Sequence, residues 1–263
     1  MTASPAPAQQ LTDVMDPARA RALQATLGLA QTIGPGDPLP PFFHHIHFWE
    51  PVAPDGLGRD GHPRVGGLIP DMGLPRRMWA GGELAFHRPL LAGVPATKTT
   101  RLDSATRKEG RSGAFALVRL RHEIAQNGQV CLTEWQDLVY RPDPDPARPA
   151  SPPPQAPADE ERATPFTADA TLLFRYSALT FNGHRIHYDA AYAREVEGHG
   201  GLVVHGPLLA QLLMLAAPAP LTRFSYRATA PLIAGEAAQV CVKGADLWLR
   251  GPDNRLCMAA TAG

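Results

Sequence analysis

The segment at 201–220, GLVVHGPLLAQLLMLAAPAP, constrains the fold most strongly. Residues 208–217 are apolar on almost every side of a helix, and Pro207 is tolerated at a first helical position. A helix of this kind must be buried, and we expect a sheet to wrap it. The segments after it (LTRFSYRATAPL, GEAAQVCVKG, ADLWLRG and NRLCMAATA) alternate like antiparallel strands between glycine and proline turns. One buried helix followed by antiparallel strands predicts an α+β fold.

A proline-rich stretch divides the chain. Eight prolines lie between Pro142 and Pro157. Proline lacks an amide donor and fixes φ, so neither a helix nor a central strand persists there. We interpret residues 142–162 as a semi-rigid linker between an N-terminal domain, 1–141, and a C-terminal domain, 163–263.

The N-terminal half carries two clear elements. The segment DPARARALQATLG predicts an opening helix that begins near Pro17 and ends near Gly28. The segment GAFALVRLRHEIAQNGQVCLTEWQDLVYR predicts a long β-hairpin, because Asn127 and Gly128 suit the left-handed dihedrals of a tight turn. The glycine- and proline-rich residues 51–82 show no periodicity and are predicted to be a long loop, which in a compact domain is often functional.

After the linker, DATLLFRYSAL predicts a strand. Asp189 is placed to cap a short helix over residues 190–197, since its carboxylate can accept a first-turn amide.

Composition excludes some classes of function. Lysine plus arginine and aspartate plus glutamate number 25 each, so no bulk charge points to nucleic acid. Three scattered cysteines (Cys131, Cys241 and Cys257) favour neither a disulfide framework nor a zinc site. With no secretory signal pattern and no apolar run of membrane-spanning length, we expect a soluble cytoplasmic protein without a membrane partner.

The stretch SALTFNGHRIHYDAAYA, followed by GLVVHGPLLAQLL, resembles the MaoC-like hydratases of the hot-dog fold. Aligning His187 with the family histidine puts Asn182 where the family has an aspartate, and His205-Gly206 matches the His-Gly pair that opens the family's central helix. The variant FNGHRIHYD is similar to the type 2 hydroxyacyl-thioester dehydratases and to mesaconyl-C4-CoA or itaconyl-CoA hydratases. GLIPDMGLPRRMWAGGELAFHRPL and KEGRSGAFALV resemble the degenerate N-terminal hot dog of that branch. The resemblance implies a double hot-dog, in which two units imitate a two-subunit dimer.

The resemblance also implies reversible addition of water to an enoyl-CoA, with the thioester as substrate and no cofactor. His187 is then the base, because neutral imidazole is matched to pH 7. A helix N-terminus has free amides, so Gly206 and Leu208 can donate to the thioester oxygen and Pro207 cannot; Gly206 is the favoured donor. Asn182 does not titrate, so a one-base mechanism with Asn182 positioning the water is expected.

Other side chains are candidates for substrate binding. Arg185 and Arg227 are candidates for a substrate carboxylate, because guanidinium forks bind carboxylates bidentately. The candidates for CoA phosphates are Arg76, Arg77, Lys108 and Arg111. Further candidate contacts are His184, for which a hydrogen bond to the loop backbone is the favoured role, His205, which could equally cap or pack, and Trp79, which could pack a turn or line the acyl pocket.

A metal is not expected. In HHIH, His45 and His47 would share one face of a strand, but no acidic or cysteine partner follows at ligand spacing.

The resemblance implies hydration of a short, branched, carboxylate-bearing enoyl-CoA, with mesaconyl-C4-CoA to citramalyl-CoA as the favoured example. One alternative is a (3R)-hydroxyacyl-thioester dehydratase acting on fatty acyl chains. Another is a non-catalytic acyl-CoA-binding protein, permitted by the missing aspartate. A thioesterase is disfavoured because no carboxylate can be placed for it. A homodimer is left open.

Overall fold

The computed structural model describes residues 8–110, 113–145 and 152–263. Its strands are β1 (Ala8–Val14), β2 (Arg76–Phe86), β3 (Pro95–Gly110), β4 (Gly113–Gln126), β5 (Gln129–Arg141), β6 (Arg162–Phe166), β7 (Arg223–Ala228), β8 (Ala238–Lys243), β9 (Asp246–Arg250) and β10 (Leu256–Ala262). Its α-helices are α1 (Pro17–Thr26), α2 (Ala170–Thr180), α3 (Ala190–Glu195) and α4 (Gly206–Ala216).

The described strands form one antiparallel sheet in the order β1-β3-β4-β5-β2-β7-β10-β9-β8-β6. Five strands come from each half of the chain, and the two sets meet where β2 pairs with β7. Two glycines allow this close approach. A Cβ on Gly81 would lie 2.5 Å from the carbonyl oxygen of Tyr226, and one on Gly82 would lie 2.8 Å from the Tyr226 hydroxyl.

Helix α4 lies in the main core. Its side chains Leu208, Leu209 and Leu213 pack with Phe224 of β7 and Leu249 of β9, and all five are buried. An apolar helix enclosed by the sheet confirms the prediction made from residues 208–217. The architecture is the α+β double hot-dog, with both halves joined edge to edge.

The N-terminal half also follows its predicted pattern. The β4–β5 hairpin turns at Asn127 and Gly128, whose φ angles are 50° and 74°. Helix α1 begins at Pro17, with the Asp16 carboxylate accepting from the Ala18 amide. It packs against α2 and against the 3-10 turn Phe43–Ile46.

The predicted strand DATLLFRYSAL is wrong, because this segment forms most of α2. The Asp169 carboxylate caps the helix by accepting from the Leu172 amide at 2.7 Å. Helical spacing then buries Leu173 and Tyr176 while Phe174 is 66% exposed. A cap followed by inward residues three apart is a helical pattern. The apolar run conceals it.

The strand suggested for HHIH is also wrong. Residues Phe43–Ile46 form a 3-10 turn that follows Phe42, a residue with a φ of 70°. His45 and His47 therefore do not share a strand face.

The long loop predicted for residues 51–82 is correct only as far as β2, which begins at Arg76; the prediction is wrong for residues 76–82, which pair in the sheet. In the proline-rich segment, the described residues run without a paired strand up to Arg162, apart from the isolated bridge between Gln155 and Arg255. The three cysteines all lie in the described ranges and are free and buried. Over those ranges, no helix has the length and apolar character needed to cross a membrane.

Candidate active site

The FNGHRIHYD motif lies in the loop between α2 and α3. Helix α2 ends at Thr180 and is followed by its C-cap, Phe181, which has a φ of 51°. The Asn182 backbone amide donates to the Ser177 carbonyl. A 3-10 turn, Arg185–His187, then leads into α3, which Asp189 caps as predicted by accepting from the Tyr192 amide at 3.0 Å. These two caps hold the motif between the ends of two helices.

His187 is buried with one ring nitrogen committed. Its Nδ1 lies 2.7 Å from the Val203 carbonyl oxygen. A carbonyl can only accept, so Nδ1 carries the proton and Nε2 keeps its lone pair. Burial lowers the pKa of His187 to about 3, and the hydrogen bond to Val203 opposes this only in part. At neutral pH the imidazole is therefore uncharged and able to accept a proton at Nε2.

The His205 ring stacks on the imidazole of His187. The two rings stack with centroids 3.6 Å apart and an interplanar angle of 21°. The His205 Nε2 lies 2.8 Å from the Ser177 hydroxyl, and His205 makes no capping hydrogen bond to α4. The sequence left open whether His205 caps, packs or contacts substrate; it packs on His187 and does not cap, and substrate contact stays a prediction.

Asn182 and His184 shape the loop beside it. The Asn182 side-chain oxygen accepts from the His184 amide at 2.9 Å. The side-chain NH₂ group of Asn182 makes no hydrogen bond to any other described residue, and Asn182 lines the cavity. His184 has a ring Nε2 that is buried without a partner, so its expected ring hydrogen bond to the backbone does not form at that atom.

The N-terminus of α4 faces the same space. Gly206 is its first residue, and Pro207 follows with no donor to offer. A Cβ on Gly206 would meet Trp79 at 3.6 Å, so the indole packs against this turn. Trp79 donates from Nε1 to the Tyr226 hydroxyl at 2.8 Å. It lies on β2 and lines the cavity rather than packing a separate turn.

A cavity of about 430 Å³ joins these groups. Asn182, His187 and Gly206 all line it. So do three arginines that make no ion pair with any described carboxylate: Arg77, Arg141 and Arg227. Unpaired guanidinium groups at a cavity wall can bind an anion.

The other predicted cations lie elsewhere. Arg185 does not line the cavity; it pairs with Asp189 at 2.7 Å and lies over the Tyr192 ring. Arg76 is bound by Glu197 at 2.6 Å. Lys108 is exposed on β3. Arg111 falls outside the described residues, and all of these binding roles stay predictions.

Two residues of the site were not singled out from the sequence. Asp60 and His62 come from the loop before β2, and His62 lines the cavity. The His62 Nδ1 lies 3.0 Å from the Asp60 carboxylate, and the His62 ring lies 4.4 Å from the His184 ring. The segment GRDGH offers only a weak signal, an acid and a histidine in a glycine-rich stretch.

Two groups of metal-binding side-chain types occur among the described residues. They are His44, His45 and Glu134, and Asp60, His62 and His184, with atoms within 4.8 Å of one another. In the first, both imidazoles contact the Glu134 carboxylate at 2.9 Å. In the second, His62 contacts Asp60. Hydrogen bonding explains why each carboxylate lies beside its histidines.

Solved structures share this architecture. HtdX of Mycobacterium tuberculosis is 18% identical with a TM-score of 0.69, over 96% of this chain and 98% of that one. A conserved hypothetical protein of the same organism, described as a double hot-dog fold, is 15% identical with a TM-score of 0.58, over 98% and 95%. The likeness shows the fold. The class that these structures define is the double hot-dog fold, and in this chain a buried neutral imidazole lies beside the start of the central helix.

The family model described as hydroxyacyl-thioester dehydratase type 2 matches residues 42–234. Mesaconyl-C(4)-CoA hydratase of Chloroflexus aurantiacus is 41% identical over 96% of this chain and 94% of its own length. The chain belongs to the hydroxyacyl-thioester dehydratase type 2 family.

Proposed function

We propose that this protein adds water reversibly to a short, branched enoyl-CoA that carries a carboxylate, with mesaconyl-C4-CoA to citramalyl-CoA as the favoured reaction. The observation that carries the proposal is the His187 Nε2, which keeps its lone pair in a cavity that also holds unpaired arginines. The 41% identity to a mesaconyl-C(4)-CoA hydratase supports this choice of substrate.

In the hydration direction His187 takes a proton from water while the hydroxyl oxygen bonds to the β-carbon. The double-bond electron pair moves toward the thioester carbonyl, and in the one-base scheme the α-carbon then takes the proton from protonated His187, which restores the neutral base. Negative charge developing on the thioester oxygen is stabilised by the Gly206 amide at the N-terminus of α4. The pKa of His187, about 3, departs from the match to pH 7 expected from the sequence: it keeps the imidazole uncharged before reaction and makes the protonated form a strong acid that readily gives up its proton.

Asn182 positions the water in this scheme. Its carbonyl oxygen is already bonded to the His184 amide, so its side-chain amide group is the part left to donate. Since an amide does not titrate at working pH, Asn182 orients the water rather than accepting its proton.

Arg227 and Arg77 are the proposed anion contacts. A substrate carboxylate pairs with Arg227, and Arg77 and Arg141 meet the CoA phosphates or the same carboxylate. A cavity wall that carries three positively charged arginines favours a dicarboxylic acyl group over a fatty acyl chain. A fatty acyl chain is the substrate of the alternative, a (3R)-hydroxyacyl-thioester dehydratase.

The test is a panel of mesaconyl-C4-CoA, crotonyl-CoA and a long-chain enoyl-CoA, followed by loss of the enoyl thioester absorbance. Free thiol release is measured in parallel. We expect turnover fastest on mesaconyl-C4-CoA, without thiol release. Preference for the long chain would support the alternative, and binding without turnover would support a non-catalytic acyl-CoA-binding protein.

We also propose that the protein is cytoplasmic, that it can form a homodimer, and that residues 142–162 link an N-terminal domain, 1–141, to a C-terminal domain, 163–263. Dependence on the CoA thioester alone, without a cofactor, is part of the same proposal.

A further inference from the structure

Asp60 and His62 form an acid–imidazole pair at the wall of the active-site cavity. Asp60 accepts from the His62 ring at Nδ1 and from the His62 amide at 3.1 Å. The carboxylate thus bridges the ring and the backbone of His62 and commits Nδ1. The other ring nitrogen, Nε2, is left for the cavity that His62 lines.

The loop that carries this pair is fastened to the FNGHRIHYD loop. The Arg185 amide donates to the Asp60 carbonyl at 2.8 Å, and the Arg185 guanidinium donates to the Arg59 carbonyl at 3.2 Å. Gly61 and Gly183 touch so closely that a Cβ on Gly61 would lie 2.1 Å from the Gly183 oxygen. His62 therefore has a fixed position relative to the loop that holds His187.

Charges around the pair control its protonation. The hydrogen bonds from His62 outweigh the opposing effect of burial and lower the pKa of Asp60 to about 2, so it is a carboxylate at neutral pH. Burial, and next the Arg77 charge, lower the pKa of His62, while Asp60 and Glu197 oppose this. The uncharged His184 ring faces it from the motif loop. An anionic substrate paired with Arg77 would offset the Arg77 charge and favour protonated His62.

We propose that His62, held by Asp60, is a second catalytic residue, which exchanges the α-carbon proton while His187 exchanges the proton of water. The inference rests on the proposed function. In hydration, His187 takes a proton from water as the hydroxyl oxygen bonds to the β-carbon. The double-bond electrons then form a bond from the α-carbon to the proton on His62 Nε2, which leaves His62 neutral. One water has been added, and one proton has moved from His62 to His187.

Before the next turnover, a proton must pass from His187 back to His62. The His184 ring lies between the two imidazoles, with its centroid 4.4 Å from that of His62 and 5.3 Å from that of His187. Its Nε2 is buried and has no partner in the described structure. Transfer through His184 restores the starting state without changing the net reaction.

The first test compares His62→Gln and Asp60→Asn with His87→Gln, a matched change at a histidine that contacts Thr133 outside the cavity. We expect His62→Gln to lower the hydration kcat by about 100-fold or more with little change in KM, the usual size of a proton-transfer effect. The alkaline limb of the pH profile should disappear. In Asp60→Asn that limb should move to lower pH, because the protonated imidazole loses its carboxylate. His87→Gln should match the wild type.

A folded His62→Gln protein with wild-type kcat and pH profile would overturn the proposal while leaving hydratase activity intact. A wild type inert on the whole substrate panel would instead overturn the proposed function, and this step with it. Circular dichroism and thermal unfolding establish that each variant is folded.

A second measurement needs no turnover. Protein labelled with ¹⁵N-histidine is titrated with succinyl-CoA, a carboxylate-bearing thioester without a double bond. The His62 resonances, identified by their loss in His62→Gln, should move toward the imidazolium position. Unmoved His62 resonances at saturation would overturn the proposal independently of the kcat measurements.

Discussion

The ring Nδ1 of His187 lies 2.7 Å from the backbone oxygen of Val203, just before the HGP sequence that begins α4. This contact fixes the tautomer of the base. It also ties the motif loop to the chain that leads into the central helix, so the base and the helix amide are positioned together.

Two substitutions at Gly206 distinguish its role as an amide donor from its role in packing at the start of α4. Gly206→Ala keeps the amide, and its Cβ would meet Trp79 only at ordinary contact distance, 3.6 Å. Gly206→Pro removes the donor at a helix position where proline is tolerated. We expect Gly206→Pro to lower kcat by about 100- to 1,000-fold, the usual effect of losing one oxyanion donor. Steady-state kinetics that place both variants at the same rate would exclude this role for the amide.

Arg227 should set the preference for a carboxylate. Losing a charge-assisted hydrogen bond costs about 1.5–3 kcal/mol, or roughly 10- to 100-fold in kcat/KM. Arg227→Ala should show this loss on mesaconyl-C4-CoA and much less on crotonyl-CoA, which has no carboxylate. Arg223→Ala, on the same strand but paired with Glu83, is the matched control. Equal losses on both substrates would assign Arg227 to the CoA part instead.

His47 should make the protein acid-sensitive. Its side chain is fully buried, and neither ring nitrogen has a hydrogen-bond partner. Burial lowers its pKa from 6.5 to about 4, although the Asp13 carboxylate, 3.9 Å from Nδ1, opposes this shift. The unfolded chain therefore takes up the proton first, and stability is lost as pH falls from 6.5 toward 4. Replacement by leucine removes this contribution. Between pH 7.5 and 5, we expect His47→Leu to lose about 2 kcal/mol less unfolding free energy than the wild type. Urea unfolding at both pH values measures it, and equal losses would contradict the assignment.

Gly61 should be essential to the contact between the two active-site loops. Gly61→Ala places a Cβ against the Gly183 oxygen at a φ of 86°, whereas Gly36→Ala has nearly the same φ, 87°, and no atom within 4 Å. Backbone strain alone costs about 1–3 kcal/mol and should appear in both variants. Only Gly61→Ala should also lose activity, because the clash moves Asp60 and His62. Thermal unfolding and kcat, measured on both, separate strain from displacement.

Local patterns in the sequence predicted much of the fold. The apolar residues 208–217 predicted the buried helix α4, and Asn127-Gly128 predicted the β4–β5 turn. Helix α2 was missed because its cap, Asp169, stands before an apolar run that also fits a strand. The joining of β2 and β7 depends on pairing between distant segments.

The site was harder to predict. His187 and Gly206 belong to one continuous motif. His62 lies beside that motif only because its loop contacts residues 183–185, which are more than a hundred positions later in the sequence. The ion pair that occupies Arg185 has a local signal, since Asp189 lies four residues later. The unpaired state of Arg227 depends on its three-dimensional surroundings.

His187→Gln is the most direct test of the central claim, because glutamine can still donate to the Val203 carbonyl but cannot take a proton from water. Hydration of mesaconyl-C4-CoA is followed as loss of enoyl thioester absorbance, with thermal unfolding as the check on folding. We expect kcat to fall by at least about 100-fold with KM and the melting temperature little changed. A folded His187→Gln enzyme that hydrates the substrate at the wild-type rate would contradict the account.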